Sequence, residues 1–285
     1  MRVGIIGLGL VGKALAQRLL SAGYDVCGYD IAEPARRGAQ ELGVEVLADA
    51  REVAEKVQTL LLSLMTSQDR RDLLWGDQAV AAVLKRGTVI LDTTTGRPED
   101  IRDDHARLAE QAVRLIDVCL SGSSQVVAEG RAVALVGDTE ENAEYRDILA
   151  TFSKAQYYFG APGQGNRVKL IVNLVFGLNR LVLAEALGLA ARGGFDLGVV
   201  LEVLKDGETY STVMDTKGPK MVAGVYEPVV ARLAQHLKDV RLIVEYAEKV
   251  GARVPLSEVN ARLIQEIVDA GAGELDNAAV FKAYS

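Results

Sequence analysis

Six residues near the start, Gly7-Leu8-Gly9-Leu10-Val11-Gly12, restrict the fold of this chain more than any other stretch. They match the spacing GxGxxG, directly behind the apolar run Val3–Ile6 and directly ahead of an amphipathic one. Strand, glycine turn and helix in that order open a β-α unit whose helix N-terminus presents N–H groups to an anion. Gly7 permits the tight turn, Gly9 lets a pyrophosphate approach the backbone, and Gly12 lets the helix pack closely on the strand. In the helical candidate Val11–Ala22, residues Val11, Ala14, Leu15 and Leu19 share a face, and Gly23 supplies the stop.

Further strand candidates at Val26–Tyr29, Thr59–Leu64, Thr88–Asp92, Arg114–Val118 and Ala132–Val136 alternate with amphipathic segments. That alternation predicts an α/β domain, a Rossmann-type doubly wound parallel sheet. After a last apolar stretch at Tyr157–Phe159, Gly160-Ala161-Pro162-Gly163 breaks the pattern. A helical signal then runs to Gly193-Gly194; thirty residues of helix extend about 45 Å, enough to pass from one domain into the next. Helical candidates Leu197–Lys205, Val229–Val250 and Ser257–Ala270 follow, with no convincing strand. The 285 residues suit about two domains. The expected division is 1–162, a dinucleotide-binding domain, and 163–285, an all-α domain that begins with the long interdomain helix.

Asp30 ends the second strand candidate 18 residues beyond Gly12, near the spacing at which a carboxylate meets the adenosine ribose. A carboxylate there accepts from a free 2′-hydroxyl and repels a 2′-phosphate, so NAD is favoured over NADP. Arg36 and Arg37 keep NADP open, although an exposed cationic helix face accounts for them more simply. The net charge of −7, from 32 basic and 39 acidic residues, offers no cationic excess for nucleic acid or an anionic membrane. Cys27 and Cys119 form no disulfide framework, and Val3 is reached without a cationic leader, which suits a cytoplasmic protein. The most apolar stretch, Leu170–Ala191, is interrupted by Asn173, Asn179, Arg180 and Glu185 and reads as a buried helix. The two histidines, His105 and His236, show no metal-ligand pattern, and no GxSxG elbow is present.

Two polar residues, Lys169 and Asn173, stand four apart in the apolar segment Val168–Phe176 and must share a helical face. A snorkelling lysine and a hydrogen-bonded asparagine would explain them. Lysine also suits proton transfer, because desolvation and a neighbouring oxidised nicotinamide both disfavour the ammonium. Ser121-Gly122-Ser123-Ser124 follows Asp117 at the end of a strand candidate. Successive N–H groups and hydroxyls there can cradle a carboxylate, or form a plain turn.

Taken with Asp92-Thr93-Thr94-Thr95 and Pro98, Asp117 through Ser123 with Gly130, Gly163 through Leu170 with Asn173, and Leu237-Lys238-Asp239-Val240, the glycine motif resembles the β-hydroxyacid dehydrogenase family along nearly the whole chain. The resemblance implies a proton donor and acceptor in Lys169 and a substrate-holding Asn173. It implies a carboxylate grip in Ser121, Gly122 and Ser123. It further implies cofactor contacts from Leu64, Met65, Thr95 and Lys238 beside Gly7 to Gly12 and Asp30, a site drawing on both domains, and a homodimer or homotetramer. The chain departs from the family pattern at Ser123, Cys119 and Met65, where a glycine and two prolines are usual, so the acid accepted is left open. The implied reaction is interconversion of a small β-hydroxy carboxylate and its semialdehyde. The alternatives are a dinucleotide-binding sensor or interaction module without turnover, and a reductase of a related imine or of a phosphorylated or sulfonated aldehyde.

Overall fold

Strand β1 (Arg2–Ile6) runs into Gly7, and helix α1 (Leu10–Ser21) leaves the turn. The computed structural model describes residues 1–140 and 144–285, in two units, Met1–Lys169 and Leu170–Ser285. In the first unit, β2 (Asp25–Tyr29), α2 (Glu33–Gln40), β3 (Glu45–Val46), α3 (Ala50–Lys56), β4 (Thr59–Leu62) and α4 (Ser67–Trp75) come next. Then follow β5 (Val89–Asp92), α5 (Pro98–Ala109), β6 (Arg114–Ser121), α6 (Ser124–Ala128), β7 (Ala132–Val136), α7 (Arg146–Phe152) and β8 (Ser153–Tyr158).

The strands form one sheet in the order β3-β2-β1-β4-β5-β6-β7-β8, with its switch in direction between β1 and β4. Strands β1 to β6 are mutually parallel, so the loops that follow β1, β2, β4 and β5 leave from one edge. The sheet is not wholly parallel: β7 runs against β6, and β8 follows β7. The cause is length. Between β6 and β7 lie only the five-residue α6 and a turn at Gly130 (φ +70°), whereas a parallel crossover needs about a dozen residues or more. Both faces of the sheet are covered, one by Leu15, Leu19, Ile148 and Phe152, the other by Val53, Leu74, Ile101 and Leu108. Burial on two faces explains why β4 and β5 read as continuous apolar runs.

The unit boundary falls inside α8 (Gln164–Arg192). The second unit continues with α9 (Leu197–Asp206), α10 (Thr212–Thr216), α11 (Gly218–Ala223), α12 (Leu233–Val250) and α13 (Pro255–Ile267). Leu183, Leu187, Val213, Leu233, Ile264 and Phe281 lie at its core. Helix α12 starts four residues later than Val229, because the backbone before it is engaged elsewhere. Val230 N donates to Asp276 and Leu233 N to the Leu275 carbonyl, around an isolated bridge between Arg232 and Asp276. Helix α13 ends at Ile267 and passes into a π turn, Val268–Ala272, where Gly271 takes φ +86°.

Helix α8 is buried on one face only. Leu170, Leu183, Ala184 and Leu187 are buried, while Ile171, Val175, Val182 and Leu189 are exposed. Among the described residues it is the one helix long and apolar enough to cross a membrane by length and composition alone. The fold is thus an α/β Rossmann-type unit with a long helix leading into a helical C-terminal unit.

Candidate active site

The glycine turn is shaped by collisions. A Cβ on Gly12 would lie 1.9 Å from the Gly7 carbonyl oxygen, and one on Gly7, at φ +92°, would lie 2.3 Å from the Ser63 oxygen. Gly9, the N-cap of α1, has nothing within 4 Å of such a Cβ. Two glycines are therefore required by packing, and the third faces open space at a helix N-terminus whose first turn carries no acidic residue. That arrangement fits a pyrophosphate. Around it Leu8 is buried, Leu10 is exposed, and Val11 packs half-buried on the core.

Asp30 is stitched to this turn. Its Oδ2 accepts from Leu8 N at 2.6 Å and its Oδ1 from Ala32 N at 2.8 Å, while Gly7 N donates to the Tyr29 carbonyl at 2.9 Å. Arg36 is not the freely solvated cation of a helix face: its Nη1 donates to the carbonyls of Asp30 (2.7 Å) and Ile31 (3.0 Å), and its guanidinium lies 5.7 Å from the Tyr29 ring centroid. Arg37 pairs with Glu33 in the open.

Past β4, Leu64 sits against the glycine turn, 3.3 Å from the position of a Gly7 Cβ, and Met65 is exposed. Leu64 N donates to Thr94 Oγ1 at 3.2 Å, tying the loop after β4 to the loop after β5. Thr95 is half-buried in the latter, and the next residue, Gly96, donates its N–H to Asn166 Oδ1 at 2.8 Å.

Past β6, Ser121 is half-buried and Gly122 takes φ +146°, where a Cβ would meet Val126 at 2.8 Å. Ser123 N-caps α6, its Oγ accepting from Val126 N at 3.3 Å, so the extra hydroxyl has a local acceptor role and its proton is still available to donate. The half-buried Lys169 reaches this same loop. Its Nζ donates to the Leu120 carbonyl at 2.6 Å, immediately before Ser121. The first unit therefore gathers the glycine turn, Asp30, Leu64, Thr95, Ser121–Ser123 and Lys169 on segments that follow the strands, except that Lys169 arrives from α8.

Asn173 and Lys238 belong to the second unit. Asn173 Nδ2 donates to Asp239 Oδ2 at 3.1 Å, and Lys238 Nζ lies 3.0 Å from Asp239 Oδ1, an ion pair without hydrogen-bond alignment. Read without the family, Lys238-Asp239 is a solvated charge pair; in the structure both are largely covered and Asp239 is the residue that holds Asn173. Asp117 and Asn166 also escaped the reading of the sequence as site-forming residues. Both are fully buried, and their hydrogen bonds run to the segments that carry Thr95 and Lys169.

Residues 2–160 match the NAD binding domain of 6-phosphogluconate dehydrogenase, and residues 163–284 match the domain described as NAD-binding of NADP-dependent 3-hydroxyisobutyrate dehydrogenase. An L-threonate dehydrogenase of Cupriavidus necator is 28% identical over 284 residues, covering 99% of this chain and 95% of its own. A 2-(hydroxymethyl)glutarate dehydrogenase of Eubacterium barkeri is 27% identical, covering 100% of this chain and 95% of its own. The crystal structure of a 3-hydroxyisobutyrate dehydrogenase from Salmonella typhimurium superposes with a TM-score of 0.91 at 27% identity, over 99% of each chain.

Proposed function

The chain belongs to the β-hydroxyacid dehydrogenase family of NAD(P)-dependent oxidoreductases, and from that premise we propose that it interconverts a small β-hydroxy carboxylate and its semialdehyde with Lys169 as general acid and base. One observation supports this most directly: the Lys169 amine ends against the Leu120 carbonyl, one residue from the Ser121-Gly122-Ser123 loop. A bound pyridine nucleotide supplies the hydride acceptor in oxidation and the hydride donor in reduction.

In oxidation Lys169 takes the proton of the substrate hydroxyl; in reduction it returns a proton to the developing alkoxide. Ser121, the Gly122 N–H and Ser123 grip the carboxylate, with the Ser123 hydroxyl as an additional donor. Asn173, held by Asp239, hydrogen-bonds the substrate and fixes its orientation. Gly7 to Gly12 accept the pyrophosphate, Leu64, Met65, Thr95 and Lys238 contact the cofactor, and Asp30 takes the ribose hydroxyls, which favours NAD over NADP. In this reading residues 1–162 bind the cofactor and 163–285 form the helical domain. The protein acts in the cytoplasm, and the exposed Ile171, Val175, Val182 and Leu189 of α8 support a homodimer or homotetramer. The non-catalytic sensor is not favoured, since the chain matches dehydrogenases from end to end.

Lys169→Ala is expected to lower kcat by about 10²–10⁴-fold, the range of general acid–base contributions, with NADH binding by fluorescence nearly unchanged. Absorbance at 340 nm with a panel of hydroxy acids, NAD and NADP gives the rates. Wild-type kcat in that variant would remove Lys169 from the chemistry.

A further inference from the structure

Asp117 is an ionisable group that, among the described residues, is buried without a salt bridge to a cation. It is 0% exposed on β6, and the hydrogen bonds its carboxylate accepts come from N–H groups: Gly163 N at 2.8 Å, Asn166 N at 2.7 Å and Asn166 Nδ2 at 3.4 Å. Burial pushes its carboxyl up from the ordinary range, and the N–H donors of Gly163 and Asn166 pull against that. The surroundings are cut to its shape. A Cβ on Gly137 would lie 2.0 Å from Asp117 Oδ1, and one on Gly165 would lie 2.9 Å from Oδ2. Gly163 and Asn166 flank the start of α8, so the carboxylate caps that helix from a strand 46 residues earlier in the chain.

Asn166 extends the connection. It is also 0% exposed, and its Oδ1 accepts from the N–H of Gly96, next to Thr95. One turn further along α8, Lys169 donates to the Leu120 carbonyl, three residues past Asp117 on the same strand. β6 and α8 are thus fastened at two points, roughly 10 Å apart at about 3.3 Å per strand residue. Slipping α8 by one residue would rotate Lys169 about 100° around the helix axis and move it about 1.5 Å along it. A displacement of about 1 Å can lower a rate 10²-fold.

Resting on the reading of Lys169 as the proton-transfer group, we propose that Asp117 and Asn166 are positioning residues: together they fix the Lys169 amine beside the Ser121–Ser123 loop and hold the Thr95 loop in register with it. The role is indirect, since neither side chain is exposed to a substrate.

The test is a double-mutant cycle on the full chain, with Asn166→Ala, Lys169→Ala and their combination assayed on 3-hydroxyisobutyrate or L-threonate, whichever the wild type oxidises faster. Asn166→Ala is expected to lower kcat about 10–100-fold. KM for NAD and the NADH dissociation constant, which the loosened Thr95 loop touches, are expected to rise by a smaller factor than kcat falls, a split that a general loss of structure would not produce. In the Lys169→Ala background the same change is expected to add little further loss, because the group it positions is gone. Asn166→Ser, which retains a short acceptor, is read by the same criteria and replaces Asn166→Ala if the latter does not fold. Losses that multiply in full across the cycle, or an unchanged kcat in a folded Asn166 variant, would overturn the positioning role while leaving the proposed chemistry intact. Wild-type turnover in Lys169→Ala would instead overturn the chemistry and the positioning role with it.

Discussion

In the sheet-bearing unit the large buried cation is answered by two carboxylates, whereas its counterpart in the helical unit has no ion pair at all among the described residues. Arg70, 0% exposed on α4, places Nη1 2.8 Å from Asp92 and Nε 3.0 Å from Asp104. The remaining oxygens of those acids accept from Thr94 N at 3.0 Å and Trp75 Nε1 at 2.8 Å. Of the guanidinium, only Nη2 lacks a hydrogen bond among the described residues. Arg180, 1% exposed on α8, meets His236 Nε2 at 3.4 Å and lies over the Phe176 ring at 5.3 Å; its Nε and Nη1 have no hydrogen-bond partner among the described residues. Burial lowers the pKa of both, yet the net directions are opposite. It lowers the Arg180 pKa to about 10 against weak help from Asp276 and Asp239, while for Arg70 the two aspartates outweigh it. The carboxylate that acts most on Arg180 is already engaged, since Asp276 holds Lys217 at 2.8 Å and Lys220 at 3.2 Å. The difference shows what each burial does. In the first unit an ion triad orders the Thr93–Thr95 loop through Asp92; in the second, Arg180 fills volume.

The sharpest way to break this comparison is Arg70→Met. It leaves Asp92 and Asp104 buried without their cation, a change that typically costs about 3–5 kcal/mol. The midpoint of denaturant unfolding should drop accordingly, with loss of order in the Thr95 loop seen as weaker NADH binding. A stability within about 1 kcal/mol of wild type would mean that the triad contributes no net stabilisation as an ion network.

The first unit was the more legible one, for reasons visible at single residues. Gly7 and Gly12 are forced by backbone collisions, so the loop leaves a fixed pattern in the sequence. Strands buried on both faces leave apolar runs, which is why β4 and β5 stand out. Strand β8 begins at Ser153, ahead of the apolar stretch at Tyr157, and its first half leaves no apolar run because Lys154 is exposed and Gln156 only half-buried on an outer strand. Helix α2 has a single buried residue, Ala39, and so carries almost no apolar stripe. The lysine that ends beside Ser121 could be picked out as a polar residue in an apolar helix. Asp117 and Asn166 could not, because their partners are backbone N–H groups as far as 70 residues away, and a backbone donor has no residue type to recognise. Asp239 was hidden differently: next to Lys238 it looks paired and solvated, and only the fold sets it against Asn173.

A smaller effect separates the units by pH. His236 is held well below its ordinary value of 6.5, first by burial and then by the cations Arg180 and Lys217. The unfolded chain therefore takes up a proton that the folded one refuses. The stability associated with neutral His236 is complete above about pH 6.5 and is lost as the pH falls below it, by about 1.4 kcal/mol per pH unit at most. Asp276, which burial would raise but Lys217 and two backbone N–H groups hold at about 2, adds a second loss only between about pH 4 and pH 2. Denaturant unfolding of wild type and His236→Asn at pH 7, 6 and 5 tests this. The variant should lose the slope below pH 6.5, and parallel pH profiles for the two proteins would rule His236 out as its source.

The smallest change is expected from Arg180→Met, and it bears most closely on the comparison. Replacing a buried guanidinium that has no carboxylate partner among the described residues removes a desolvation penalty and sacrifices one long contact to His236 and a ring contact to Phe176. Methionine fills much of the same volume with a flexible side chain. The net change should lie within about 1 kcal/mol of zero, in contrast to Arg70→Met, because exchange of an unanswered buried ion for an apolar group is often neutral or stabilising. Removing the cation beside His236 should also soften the acid-side slope, since one of the two charges that repel its proton is gone. If Arg180→Met instead destabilises the chain as much as Arg70→Met does, the Arg180 guanidinium contributes far more than its contacts to His236 and Phe176 account for, and the contrast between the two units fails.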